Sequence, residues 1–378
     1  MNRRKVKKRT LDQTNLLDII YTDLCNLSYF TSCPASILYL LGNCSEDFSR
    51  LFRLTYTYRN KGDHSDFGTL LHLAVIKNRI EIVKILLEKG ADIKMRTNNN
   101  KSVMDLAIFS SYDDLAFSQK KYLIDFLVTQ SPEIKAVHIA ALICQNSISL
   151  KPSIEQMIHL TSDRQINKTV NISIPHQDNI ESDNLPLTHV AAINSNLSAI
   201  KILIERKANF RRISEKYWLD IVYCGFLSFN FEFINKFLRF ILPLGVNIDG
   251  NYIRKKEPVL HFAVRRYYNF DIIRLLLDHG ADPNSIFDNR SPLYWTMNME
   301  CRKLLLDYGA DPNMDTNPSW CALFHAHQAE DLLYLDYHVE FSKTKFDGTS
   351  YMHHQFQRNN RQTLLKIYQK IVDTIIKK

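Results

Sequence analysis

Residues 257–284 read EPVLHFAVRRYYNFDIIRLLLDHGADPN, a pattern that predicts two short helices and the turn that ends the second one. Pro258 fits the start of the first helix, where the missing amide hydrogen costs least. The apolar run Ile272–Leu277 predicts the second helix, and Gly280 fits the left-handed residue that terminates helices. A related segment, SPLYWTMNMECRKLLLDYGADPN, follows at 291–313. One such unit cannot bury its own apolar face, so the units must stack on one another.

The unit resembles the ankyrin repeat, whose consensus starts the first helix with Thr-Pro-Leu-His and ends the second with Gly-Ala-Asp. Four segments match in both helices, and their first helices begin in GTLLHLA at 68–74, LPLTHVA at 185–191, EPVLHFA at 257–263 and SPLYWTM at 291–297. The resemblance implies an all-α ankyrin-repeat solenoid of about ten helix-turn-helix repeats, with β-hairpin-like tips and helical end caps.

The repeats can be counted by the residue at the histidine position of each first helix. We assign this position to Tyr39, His72, Asp105, His138, His189, Asp220, His261, Trp295, Phe324 and His353, and the first four lie 33 residues apart. The resemblance gives the histidines a structural role, in which each bonds to backbone and bridges adjacent repeats. The short spacing after Trp295 predicts that the first helix of that repeat is clipped by about one turn.

The resemblance extends over residues 30–378. Together with the residues before it, the chain divides into four parts. Residues 1–10 are too charged to pack and are expected to form a disordered basic tail. Residues 11–29 have helical periodicity and are expected to form an N-terminal capping helix. Ankyrin repeats follow at 30–343, with a polar insertion near 165–183 that is expected to be a surface loop. Residues 344–378 carry the polar side chains of a C-terminal capping repeat.

The basic tail supplies most of the net charge of +8. Six of these charges belong to Arg3, Arg4, Lys5, Lys7, Lys8 and Arg9, which leaves the rest of the chain near +2. The run RRKVKKR resembles a nuclear-import signal, in which lysines and arginines fit an acidic groove. The alternative is a solvated tail that keeps the protein in solution.

Other features of the sequence indicate an intracellular protein, cytoplasmic or nuclear. The chain begins with charged residues and lacks the apolar segment of a secretory signal peptide. No apolar run is long enough to cross a bilayer, so we expect no membrane insertion. The seven cysteines are scattered and never form CxxC pairs, as is typical of thiols in a reducing compartment.

The sequence contains none of the common catalytic or nucleotide-binding motifs, so we expect no enzyme activity and no cofactor. Cys321, His325 and His327 form a cluster of metal-ligating side chains close in sequence, with His353 and His354 nearby. His325 and His327 lie two residues apart on a predicted helix and would point to nearly opposite faces. We therefore predict no metal site, because zinc needs four converging ligands.

The candidate binding site is a set of cations and tyrosines in the central repeats. In the ankyrin family, hairpin tips and first helices line a concave face where partners bind. This geometry assigns nine residues to the site: Arg211, Arg212, Lys216, Arg254, Lys255, Arg265, Arg266, Tyr267 and Tyr268. Cations next to tyrosines match an acidic segment of a protein partner. The alternative is a solvated face whose charges pair with Glu215 or Glu257.

The sequence thus predicts a monomeric, non-enzymatic module that binds a protein partner through the concave face of an ankyrin stack. One alternative is a pathogen-encoded ankyrin effector or adaptor that acts in the cytosol or nucleus of a host cell. Another is a nuclear protein associated with nucleic acid, which a basic strip would favour. The small net charge outside the tail argues against nucleic acid as the ligand.

Overall fold

The computed structural model describes residues 16–26, 35–44, 48–58, 63–111, 117–130, 133–145, 150–172, 183–212, 219–246, 248, 257–266, 269–296, 298–312, 314, 365, 368–369 and 372. They belong to two compact units, one formed by Met1–Ser173 with Ile180–Phe210 and the other by Ile174–Asn179 with Arg211–Lys378. The basic tail at 1–10 and the cluster of Cys321, His325 and His327 lie outside the described residues, as does nearly all of the cap predicted at 344–378.

The first unit is built from short helices. They are α1 (Leu16–Asn26), α2 (Ala35–Gly42), α3 (Leu70–Ile76), α4 (Ile80–Glu88), α5 (Val103–Phe109), α6 (Phe117–Thr129), α7 (Ala136–Cys144), α8 (Lys151–Leu160), α9 (Asp163–Ile166), α10 (Leu187–Ile193) and α11 (Leu197–Glu205). Helix α1 lies within the segment predicted to cap the N-terminus, and it packs against α2 and α3.

The second unit continues the same helical pattern. Its helices are α12 (Ile221–Phe226), α13 (Phe231–Ile241), α14 (Val259–Arg266), α15 (Phe270–Asp278), α16 (Pro292–Trp295) and α17 (Met299–Asp307). A 3-10 turn at Leu242–Leu244 follows α13.

Within each unit the helices stack in two rows. The first helices α3, α5, α7 and α10 pack in succession, and the second helices α6, α8 and α11 pack beside them. In the second unit α12, α14 and α16 form one row, and α13, α15 and α17 form the other. Each helix pair therefore buries its apolar face against its neighbours, and the predicted all-α ankyrin stack is confirmed.

Helix α15 shows how the sequence produces one repeat. Asn269 caps the helix, because its side chain accepts a hydrogen bond from the Ile272 amide at 3.1 Å. Ile272, Ile273, Leu276 and Leu277 are buried, and complete burial of each such side chain stabilises the fold by about 1.5–3 kcal/mol. The helix ends at Gly280, whose φ of +90° is the left-handed conformation that glycine adopts without strain.

Capping residues correct two of the predicted histidine positions. His72 and Asp105 are each the third residue after the N-cap of their helix. In α12 the N-cap is Asp220, whose carboxylate accepts a hydrogen bond from the Tyr223 amide at 2.7 Å, so the equivalent position is Tyr223. In α16 the N-cap is Ser291, which places Tyr294 there instead of Trp295. The assignments to Asp220 and Trp295 were wrong because a count of spacing does not identify the cap.

Helix α16 is clipped, as its spacing predicted. It spans four residues, whereas α14 spans eight. Two hydrogen bonds close the shortened end: Thr296 Oγ1 donates to the Pro292 carbonyl at 2.9 Å, and the buried Arg302 of α17 donates to the Thr296 carbonyl. The short helix is therefore supported from the second helix of its own repeat.

The strands lie in the connections that precede or follow first helices. In the first unit β1 (Phe52–Tyr58) pairs with β2 (Asp63–Gly68) and with β3 (Ser110–Ser111), and both pairings are antiparallel. Strands β4 (Val170–Ile172) and β5 (Asp183–Leu185) also pair. The segment near 165–183 was predicted as a surface loop, but Val170 and Leu185 are buried partners, so part of it is an anchored hairpin.

Candidate functional site

Buried histidines at the third helical position bridge neighbouring repeats. His72 Nδ1 accepts a hydrogen bond from the Thr69 amide at 3.2 Å, and its Nε2 lies 3.2 Å from the Met95 carbonyl. His261 Nε2 lies 3.0 Å from the Arg290 carbonyl. Both rings are fully buried, and burial lowers the pKa of each to about 4. These histidines hold repeats together and are closed to a substrate.

Asp105 occupies the histidine position of its repeat. Its side chain accepts the hydrogen bonds that link the repeats, whereas the histidine rings face carbonyl oxygens. Its carboxylate accepts hydrogen bonds from the Ser102 amide at 2.9 Å, from Lys135 Nζ at 3.0 Å and from His138 Nε2 at 2.9 Å. Burial would raise the pKa of Asp105, but the hydrogen bonds from His138 and Ser102 hold it well below its usual range. The Asp105 carboxylate is buried and joins two repeats, so its role is structural.

The first helices of the second unit carry a set of stacked arginine and aromatic side chains, which we call the arginine–aromatic cluster. Its members are Tyr223, Phe262, Arg265, Arg266, Arg290, Tyr294 and Trp295. They come from α12, α14 and α16 and from the turn before α16. Because these three helices pack in one row, the cluster extends over three consecutive repeats.

Contacts between rings and guanidinium groups connect these repeats. The Tyr223 and Phe262 rings lie 5.2 Å apart, and the Arg266 guanidinium lies 5.8 Å from the Phe262 ring centre. The Arg265 guanidinium is 5.4 Å from the Trp295 ring and that of Arg290 is 4.6 Å from it. Such cation–π contacts stabilise by about 0.5–2 kcal/mol, and they hold the side chains in defined positions.

The charges of the cluster are not equivalent. Arg265 forms an ion pair with Glu257 at 2.6 Å, and the glutamate side chain is only 7% exposed. Burial raises the pKa of Glu257, and the guanidinium groups of Arg265 and Arg266 oppose that rise. Burial and the Glu257 carboxylate raise the pKa of Tyr223 to about 12. Arg265 is thus neutralised within the fold, whereas Arg266 is exposed to solvent.

The structure describes four of the nine residues predicted for the binding site. Arg265 and Arg266 belong to the cluster. Arg211 donates a hydrogen bond to the Leu244 carbonyl at 2.7 Å, and Arg212 is exposed. Lys216, Arg254, Lys255, Tyr267 and Tyr268 lie outside the described residues, as do the import candidates Arg3, Arg4, Lys5, Lys7, Lys8 and Arg9.

Sequence reasoning missed four aromatic residues and one arginine of the cluster. Tyr223 and Tyr294 occupy histidine positions, and a correct alignment of the caps would have identified them. Arg290 gave no local signal, because its contacts to Tyr294 and Trp295 depend on the fold of the hairpin at Phe287 and Arg290.

Metal binding and membrane insertion are two other functions that the side chains could show. Among the described residues, no group of three or more His, Cys, Asp or Glu side chains could hold a metal ion. In the same part of the chain, no helix combines the length and the apolar character that a membrane span requires.

Two ankyrin-repeat family models match segments of this chain. A family model described as ankyrin repeats (many copies) matches residues 58–107, and one described as ankyrin repeats (3 copies) matches 230–316 and 260–344. Among solved structures, an ankyrin repeat domain from Acinetobacter baumannii has a TM-score of 0.43 and 19% identity, covering 48% of this chain and 96% of that domain. The human ASB11 ankyrin repeat domain has a TM-score of 0.41 and 18% identity, covering 64% and 98%.

Curated relatives match over shorter stretches. A putative ankyrin repeat protein of Rickettsia bellii is 27% identical over 131 residues, which are 31% of this chain and only 18% of that protein. The Notch-regulated ankyrin repeat-containing protein A of Danio rerio is 33% identical over 75 residues, which are 20% of this chain and 67% of the relative. With these matches and the stacked helix pairs, the chain belongs to the ankyrin-repeat family.

Proposed function

We propose that the chain binds a protein partner through the arginine–aromatic cluster on the first helices of its second unit. Ankyrin repeats are generally protein–protein interaction modules. The observation that supports this surface is the stacking of three guanidinium groups on aromatic rings across two consecutive repeats, which the contact between the Tyr223 and Phe262 rings extends to a third. Arginine, tryptophan and tyrosine are the residues most often responsible for binding energy at protein interfaces.

Preorganisation of the cluster favours binding. A free arginine side chain loses rotamer freedom when it is immobilised at an interface, at a cost of about 0.5–1.5 kcal/mol. Here Arg265 is held by Glu257 and by the Trp295 ring before any partner arrives. The partner therefore meets a surface whose side chains are already positioned.

An acidic side chain of the partner would contact Arg266. This residue is the cluster arginine that is exposed, and its guanidinium rests on the Phe262 ring. Arg265 contributes less charge, because the Glu257 carboxylate neutralises it. We further propose that the partner is intracellular, cytoplasmic or nuclear, and that the chain binds it as a monomer.

The test is charge reversal at Arg266 with a matched control. The partner is isolated from the native cell by affinity capture with the intact chain as bait. Its affinity for purified variants is then measured by calorimetry. We expect Arg266→Glu to weaken binding by about tenfold or more, as loss of a central charged contact does. Arg274→Glu makes the same charge change on the exposed face of α15 and should alter affinity by less than about twofold. Equal affinity of the two variants rejects this surface.

Arg265 is not suitable for this experiment. A glutamate at 265 would place a second carboxylate beside the buried Glu257, and an unpaired buried charge is strongly destabilising. Loss of binding would then be inseparable from loss of the fold.

A further inference from the structure

Glu257, Arg265 and Trp295 form one connected polar group beneath the arginine–aromatic cluster. Glu257 Oε2 accepts a hydrogen bond from the Arg265 guanidinium at 2.6 Å. The same guanidinium lies 5.4 Å from the centre of the Trp295 ring. Two consecutive repeats therefore contribute to the group, since Glu257 and Arg265 belong to the repeat of α14 and Trp295 to the repeat of α16.

Each member of the group has a polar atom without a hydrogen bond. Glu257 Oε1, Arg265 Nε and Trp295 Nε1 are shielded from solvent, and none of them has a partner in the described part of the chain. An unsatisfied buried polar atom is unfavourable, because it has lost its hydrogen bonds to water and gained none in the protein. Three such atoms on contacting residues indicate a site whose hydrogen bonds are completed by another molecule.

We propose that these atoms bind a primary carboxamide, the side chain of an asparagine or glutamine in the partner. The inference rests on the proposed function and specifies what the partner must carry. The site offers two donors, Arg265 Nε–H and Trp295 Nε1–H, and one acceptor, Glu257 Oε1. A carboxamide has an oxygen with two lone pairs and an N–H on the same side, so it can satisfy all three atoms.

Other polar groups match the site less well. A main-chain peptide group has the same atoms, but in a trans peptide the N–H and C=O point in opposite directions. A carboxylate would accept from both donors and repel the Glu257 carboxylate. Ammonium and guanidinium groups have no acceptor for the two donors.

The partner would approach from the exposed side of the cluster. The Arg265 side chain is 33% exposed and Trp295 is partly exposed, so the group borders the surface on this side. Arg266 follows Arg265 directly in α14 and is exposed. The preferred sequence in the partner is therefore an asparagine or glutamine close to an aspartate or glutamate.

A random-peptide library selected against the full chain tests this inference. Enriched peptides should share Asn or Gln at one position, with Asp or Glu nearby. Selection against Trp295→Phe, which keeps an aromatic ring and removes the N–H, should abolish the preference for Asn or Gln and keep the acidic residue. Selection against Arg266→Glu should keep the preference for Asn or Gln and abolish the preference for the acidic residue.

Affinity measurements with one selected peptide make the test quantitative. Replacing its Asn by Leu should weaken binding to the unmodified chain about tenfold, and binding to Trp295→Phe by less than about twofold. An equal loss on both proteins, or enriched peptides without Asn or Gln, overturns the carboxamide inference and leaves the proposed surface standing. If no sequence is enriched, both proposals are rejected.

The folding of Trp295→Phe is verified by its circular dichroism spectrum and melting temperature. Should this variant not fold, the indole N–H resonance of Trp295 in the unmodified chain provides the readout. We expect it to shift when the Asn peptide is added and to remain in place with the Leu peptide. A Trp295 resonance that does not shift with either peptide contradicts the inference.

Discussion

Acidification should destabilise this fold through His72 and His261, which must remain neutral to occupy their buried positions. Burial lowers the pKa of both rings from the ordinary value of 6.5 to about 4. A depressed histidine pKa means that the unfolded chain binds protons more readily than the folded one. The contribution of each neutral histidine to the free energy of unfolding is therefore fully present above pH 6.5. It decreases as the pH falls and is lost once the pH passes below about 4.

The magnitude follows from the size of this shift. Each pKa unit corresponds to about 1.4 kcal/mol, and at pH 5 the unfolded histidine is almost fully protonated while the folded one is not. Going from pH 7.5 to pH 5 should thus lower the free energy of unfolding by about 2 kcal/mol for each of the two histidines. Asp105 does not contribute in this range, because its pKa lies well below the ordinary value of 3.8.

Urea unfolding at the two pH values, followed by far-UV circular dichroism, measures this loss. His72→Gln and His261→Gln should each reduce the pH-dependent loss by about 2 kcal/mol, whatever their effect at pH 7.5. The two histidines lie in different units, so if the units unfold separately, each variant alters only one transition. An NMR titration that places the His72 or His261 ring pKa near 6.5 would refute the reasoning.

Two further predictions concern packing and a buried ion pair. Gly225→Ala would place a methyl group 2.4 Å from Phe237 Cε1, so it should lower the free energy of unfolding by about 1–3 kcal/mol. Gly42→Ala meets no atom within 4 Å and serves as the control in the same thermal denaturation experiment. Asp105→Ala leaves the buried His138 Nε2 without its hydrogen-bond partner and should cost about 1–3 kcal/mol in urea unfolding. A loss below 1 kcal/mol, about the worth of one ordinary hydrogen bond, would show that this bridge is dispensable.

Local physical chemistry made the repeats predictable. A helix end, a glycine turn and an apolar stripe each depend on residues close together in the chain, as in the segment around Gly280. The dependence of these signals on nearby residues also explains which predictions were wrong. The count of spacing could not distinguish the cap Asp220 from the position of Tyr223. It also could not show that Val170 and Leu185, fifteen residues apart, would pair as strands.

The candidate site was only partly predictable, for a different reason. Arg265 and Arg266 are adjacent and identical in the sequence, yet they differ in what they can offer a partner. Arg265 pairs with Glu257 and lies against Trp295, which belongs to the next repeat. Arg266 stays exposed over the Phe262 ring. No property of the local sequence separates the two.

The sequence alone determined the ankyrin architecture, because caps, turns and periodic apolar residues act over a few positions. The tertiary structure alone decided which cations are neutralised and which polar atoms lack a hydrogen bond. Those outcomes depend on contacts between repeats, where Trp295 meets a side chain thirty residues earlier in the chain. Recognition in such a fold is set by the stacking, because each repeat completes the surface of its neighbour.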